Sequence, residues 1–306
     1  MRLSAVLFYL VGIAVYCAMD AGMKLLVAGH PVALATFWRY ALGTLFTLLI
    51  WLWSGRPPIT RAILPVHLLR GLVVGLSALA FFWALSVLQL VEVVTIAFIA
   101  PLLVPPVAAL LLKERMRKDS LVAGGIGFAG VLVAAGVSPD MLSGAQSPTR
   151  LLGVAAVLVS AAFYAFSLVL MRLRAARDGA STVGLLGSFF PTLVLLPFVF
   201  ASTSPAALLP KGGDWWLVLA VGLFGAVALQ LLALAYQRAE AQLLAPFEYS
   251  ALFWASLYGW LLFAEPVAPR VLAGALLIAG ACLWQMRRPA QRADPMKAPP
   301  RTRVSR

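Results

Sequence analysis

Hydrophobic runs of about 18–24 residues, each long enough to cross a hydrocarbon core about 30 Å thick, recur along nearly the whole chain. Ten are marked, at about residues 4–27, 32–53, 67–88, 92–112, 119–137, 151–171, 181–201, 214–237, 241–263 and 269–286. Composition agrees with this reading, because the 306 residues are 62% hydrophobic and 11% charged, against about 25% charged in ordinary globular domains. The expected class is an all-α polytopic membrane protein with ten transmembrane helices.

The first run lacks a small-residue cleavage pattern and carries Asp20 and Lys24 near its far end, so a retained helix is expected rather than a cleaved leader. Cys17 and Cys282 both fall inside apolar runs, which suggests neither a disulfide framework nor a zinc site. The net charge of +13 is distributed unevenly. With the N-terminus placed inside, 19 of the 24 Lys and Arg residues fall on the inner side, and only Lys24, Arg39, Arg150, Lys211 and Arg270 fall in the outer half. The positive-inside rule then puts both termini in the cytoplasm. Residues 287–306 are Pro-rich and basic, which reads as a disordered tail held near anionic lipid rather than a nucleic-acid-binding arm.

A faint internal repeat decides the architecture. Sliding the chain by 151 residues lays Gly71 on Gly222, Ala84 on Ala235, Phe98 on Tyr249 and Glu114 on Glu265. A slide of 148 lays "YCAMDAGMK" (Tyr16 to Lys24) on "YAFSLVLMR" (Tyr164 to Arg172). Each half then holds five spans. Since five is odd, the second copy enters the membrane from the opposite side, giving two inverted five-helix repeats. The units are residues 1–140, residues 141–286 and the tail 287–306.

Three stretches carry a family resemblance: "ATFWRYALGTL" in the second span, "FIAPLLVPPVAALLLKE" closing the fourth and "LLAPFEYSALFWASLYGWLLFAEP" in the ninth. With the glycine-rich fifth and tenth spans, they make residues 4–286 resemble the drug/metabolite transporter superfamily, specifically proteins built from two EamA domains. The motifs are specific for the superfamily and weak for the substrate. One departure is plain: Pro101 has no counterpart in Tyr249 to Phe253, where the nearest proline is Pro246, so no role of Pro101 is carried to the second half. The resemblance implies that spans three, four, eight and nine line a central cavity. On that basis Trp83, Phe98, Tyr236, Tyr249 and Trp254 are candidates to touch a solute with apolar parts.

Other motifs point away from chemistry. "GIGFAG" (Gly125 to Gly130) matches a dinucleotide fingerprint, but no strand precedes it and it lies inside an apolar run, so it reads as helix packing. Gly71 and Gly75 form a G-x-x-x-G pair, which lets two helix backbones approach closely in lipid. The two histidines, His30 and His67, stand near span ends, and no metalloprotease, nucleophile-elbow or paired-cysteine signature occurs. No enzyme, cofactor or metal is expected, and no ATP-binding motif points to a pump.

A short set of ionisable groups at membrane depth remains. Asp20 and Arg39 each lie about seven residues below the outer end of their span, about 10 Å down at 1.5 Å per residue. Lys24 shares the helix face of Asp20. Two readings stay open for this cluster, a self-neutralising structural group and a contact point for a zwitterionic or anionic solute. Glu248 stands alone among about twenty apolar or small residues, with Ala97 as its repeat partner. An ionised side chain at a bilayer centre costs about 2.5–3.5 kcal/mol, so an isolated Glu248 favours its neutral form. Either it carries a proton during transport or it ties span nine to its neighbours. Glu92, at the start of span four, reads as a rim residue.

The expected function is a secondary carrier working by alternating access, exporting amino acids or related amphipathic metabolites across the cytoplasmic membrane. The runner-up is import of a nucleoside-like or vitamin-like metabolite, and a non-transporting membrane scaffold is the third. The expected partners are a small-molecule substrate and membrane lipid.

Overall fold

In hydrocarbon no water is present to pair backbone N–H and C=O groups, so a chain of apolar runs must satisfy them within each run, as helices. The computed structural model of the protein describes residues 2–87, 93, 96–113, 118–135, 148–205, 208–263 and 269–287, and among them no strand occurs. The helices are α1 (Arg2–Gly29), α2 (Val32–Trp53), α3 (Leu64–Val87), α4 (Ala100–Leu112), α5 (Lys118–Ala135), α6 (Pro148–Asp178), α7 (Ala180–Ser202), α8 (Asp214–Arg238), the short α9 (Ala241–Leu244), α10 (Ala251–Phe263) and α11 (Pro269–Arg287). A 3-10 turn, Arg61–Ile63, leads into α3. Glu92, Glu114, Glu265 and residues 288–306 lie outside the described residues, as does the loop between α5 and α6.

Six of these helices are long and apolar enough to cross a membrane by themselves: α1, α2, α3, α6, α7 and α8. The difference from ten uninterrupted spans has a local cause at two places. In the ninth predicted span, α9 runs into a 3-10 stretch, Ala245–Ser250, before α10 begins. Pro246 supplies no backbone N–H, which removes one donor from the α-helical ladder at that point. The fourth predicted span turns at Phe98 and Ile99, and α4 then starts at Ala100 with Pro101 in its first turn. A proline there is pre-set for a helix start and costs no hydrogen bond.

Helix pairing sets where the interior lies. α1 packs along α8, α3 along α6, α2 along α7 and α5 along α11, while the 3-10 stretch touches α1, α4, α5 and α11. Two glycines let neighbouring helices approach closely. A Cβ at Gly71 of α3 would overlap Phe190 of α7, and a Cβ at Gly222 of α8 would overlap Leu42 of α2. The "GIGFAG" run is also packing surface, because a Cβ at Gly130 would sit 2.9 Å from the Gly274 carbonyl oxygen of α11. Outward-facing Leu110, Phe200, Trp216 and Leu276 are exposed, an aggregation liability in water and a lipid-facing surface in a bilayer.

Candidate functional site

The broken ninth span carries Glu248 into the interior, where Ala245 to Tyr249 are all buried. Its carboxylate meets two phenols from other helices. Tyr164 of α6 donates to Oε1 at 2.7 Å, and Tyr9 of α1 donates to Oε2. Behind Tyr9 stands Tyr236 of α8, with the two hydroxyls 3.4 Å apart and the rings edge-to-face at 5.7 Å. The Tyr236 carbonyl in turn accepts from Arg172 Nη1 at 2.6 Å. A hydroxyl both donates and accepts, so this chain of phenols can satisfy Glu248 as a carboxylate or as a neutral acid.

Glu248 opens onto a cavity of about 490 Å³ lined by residues from both halves of the chain, within the range of about 300–1,000 Å³ that holds small-molecule ligands. Two carboxylates, Asp20 and Glu248, and three cations, Lys24, Arg39 and Arg70, line it. Aromatic wall is supplied by Tyr16, Phe81, Phe82, Phe98, Tyr164 and Tyr258. Arg39 donates from Nη2 to the Tyr16 hydroxyl at 2.7 Å and lies over the Tyr16 and Tyr40 rings, 5.1 and 4.8 Å from their centroids. Asp20 lines the same cavity as Arg39. The Lys24 ammonium sits 4.3 Å from the centre of the Phe263 ring.

Of the residues singled out from the sequence, Asp20, Lys24, Arg39, Phe98 and Glu248 come together on this wall. The other four stand elsewhere. Tyr236 is fully buried against Tyr9, and Tyr249 is fully buried with its ring 5.7 Å from that of Phe98. Trp254 packs between Phe253 and Tyr258, and Trp83 is 40% exposed. Sequence reasoning misses Tyr9, Tyr16, Tyr164 and Arg70 as cavity or network residues. The Tyr16–Tyr164 pairing is visible in the 148-residue slide, whereas Arg70 reads only as an inner-side charge.

Near the start of α3, a histidine and an arginine share one carboxylate. His67 Nε2 lies 2.9 Å from Asp178 Oδ2, and Arg174 grips the same carboxylate at 2.6 and 2.8 Å. Such a bidentate pair fixes geometry as well as charge.

A polytopic helical membrane protein that encloses a charged and aromatic cavity has an architecture suited to moving a solute. Residues 3–136 and 151–286 each match the EamA-like transporter family, and the chain belongs to that family. It is 27% identical over 281 residues to a pseudopaline exporter of Pseudomonas aeruginosa, covering 92% of this chain and 95% of that one. It is 30% identical over 265 residues to a riboflavin transporter of Rhizobium johnstonii, covering 86% and 83%. One solved crystal structure, 22% identical, superposes with a TM-score of 0.76 over 94% of this chain and 99% of that chain, which shows the fold alone. The chain is therefore a multi-pass membrane transporter, and the family is one of transporters rather than enzymes.

Proposed function

We propose that the protein is a secondary carrier that exports amino acids or related amphipathic metabolites across the cytoplasmic membrane by alternating access. The observation that carries this is the 490 Å³ cavity, which sets charges of both signs beside aromatic wall. A solute with an ammonium, a carboxylate and an apolar body finds a partner for each part there. A second reading, import of a vitamin-like metabolite, draws support from the riboflavin transporters among the relatives.

Alternating access needs two halves that rock about a shared site. Repeat-related positions make repeat-related contacts, which supports two inverted five-helix units, residues 1–140 and 141–286. Gly71 meets Phe190 and Gly222 meets Leu42, where the 151-residue slide relates the glycines and the 148-residue slide relates their partners. Phe98 and Tyr249, also repeat partners, touch each other. Tyr16 and Tyr164 both line the cavity. The uneven Lys and Arg distribution supports cytoplasmic termini and an inner-membrane location.

The test is counterflow in liposomes containing only the purified protein, with a panel of amino acids, nucleosides and vitamins. Saturable exchange of an amino acid or close relative supports export of that class. Exchange confined to nucleosides or vitamins favours the second reading, and no exchange of any solute removes both.

A further inference from the structure

We propose that the Arg70 guanidinium is the anion-binding point of the cavity and receives the carboxylate of the transported solute. This rests on the cavity being the solute site. Arg70 is 2% exposed and lines the cavity from α3. Among the described residues it makes one hydrogen bond, from Nη1 to the Val183 carbonyl at 3.2 Å, and its buried Nε has no partner. No carboxylate stands within ion-pair distance of it among those residues. Asp178, the acid nearby in the helix-end cluster, is already held by His67 and Arg174.

The other cavity cations are engaged differently, Arg39 by the Tyr16 hydroxyl and the Tyr16 and Tyr40 rings, and Lys24 over the Phe263 ring. Among the described residues, Arg70 is thus a buried donor fork with no carboxylate as its counter-charge. A guanidinium matches a carboxylate through paired N–H donors. Gly187 of α7 makes the placement possible, since a Cβ there would overlap the guanidinium. Phe81, Phe82 and Phe98 line the same cavity and offer apolar wall to the rest of a solute.

The test is counterflow in liposomes with matched sets: phenylalanine, phenylalaninamide and 3-phenylpropionate, and the α-amides of leucine and methionine beside the parent amino acids. The expected result is that carboxylate-bearing members exchange at least about ten-fold faster than their amides, because a site built for a polar group rejects the analogue lacking it. Arg70→Gln should abolish that preference and Arg70→Lys should keep part of it. If Arg70→Gln does not fold, Gly187→Ala decides, since it displaces the guanidinium while leaving its charge; the preference should then fall several-fold. Equal exchange of acid and amide by the unmodified protein overturns the proposal and leaves the carrier reading standing, as does a preference that survives in the folded Arg70→Gln or Gly187→Ala variant. No exchange of any member, with exchange of nucleosides or vitamins, overturns both this proposal and the amino-acid reading.

Discussion

Removing the phenols around Glu248 one at a time measures whether the carboxyl depends on them. Tyr164→Phe deletes the 2.7 Å bond to Oε1 and Tyr9→Phe deletes the bond to Oε2, with little change of volume. A hydrogen bond to a charged group contributes about 1.5–3 kcal/mol, against about 0.5–1.5 between neutral groups. If Glu248 is ionised, each single change should therefore cost about 1 kcal/mol more in the unmodified protein than in a Glu248→Gln background. At about 2–4 °C per kcal/mol, the difference is readable as a shift in the thermal midpoint of the detergent-solubilised protein. The four-member cycle isolates the coupling. Equal losses in the two backgrounds would refute an ionised Glu248 held by tyrosines. Transport then separates proton carriage from support: Glu248→Gln should stay folded and flatten the pH dependence of exchange, and full activity with an unchanged pH profile removes Glu248 from the mechanism.

Asp20→Asn or Arg39→Gln alone should lower folded yield or exchange more than the two together, because a single change strands a buried charge; simple additivity, measured by size-exclusion yield, would show that the groups are uncoupled. Gly71→Ala and Gly222→Ala should each destabilise the protein by about 1–3 kcal/mol through overpacking, read as a lower thermal midpoint. Because the new methyl group overlaps the Cβ atoms of Phe190 and Leu42 themselves, trimming those partners to alanine should not relieve the loss. A reporter fused to the C-terminus should be active only in the cytoplasm, with the loop near residues 138–150 labelled from outside; a tail found outside would overturn the orientation and the inverted repeat together.

Helices are legible in the sequence because long apolar runs leave the backbone no other way to pair its polar groups. The breaks are not, since an apolar run reads the same whether or not six of its residues, Ala245–Ser250, turn as a 3-10 helix. Pro246 is the available signal. Charged cavity residues are legible because Asp20, Arg39 and Glu248 are rare types in such runs. Aromatic residues are less so: on helices apolar on every side, ring identity does not distinguish the cavity wall occupied by Phe98 from the packing positions of Tyr236 and Trp254. Arg70 stands near a helix end, where an arginine reads first as an anchor against the membrane surface.

Cys17 lines the cavity and offers a reporter already in place. In a Cys282→Ser background, the rate at which a small cationic thiol reagent modifies Cys17 should fall when a solute that exchanges in liposomes is present at saturation, and complete modification should block exchange. A cavity that is the solute path predicts both results. Unchanged modification at saturating solute, with exchange intact after the thiol is fully blocked, would contradict it.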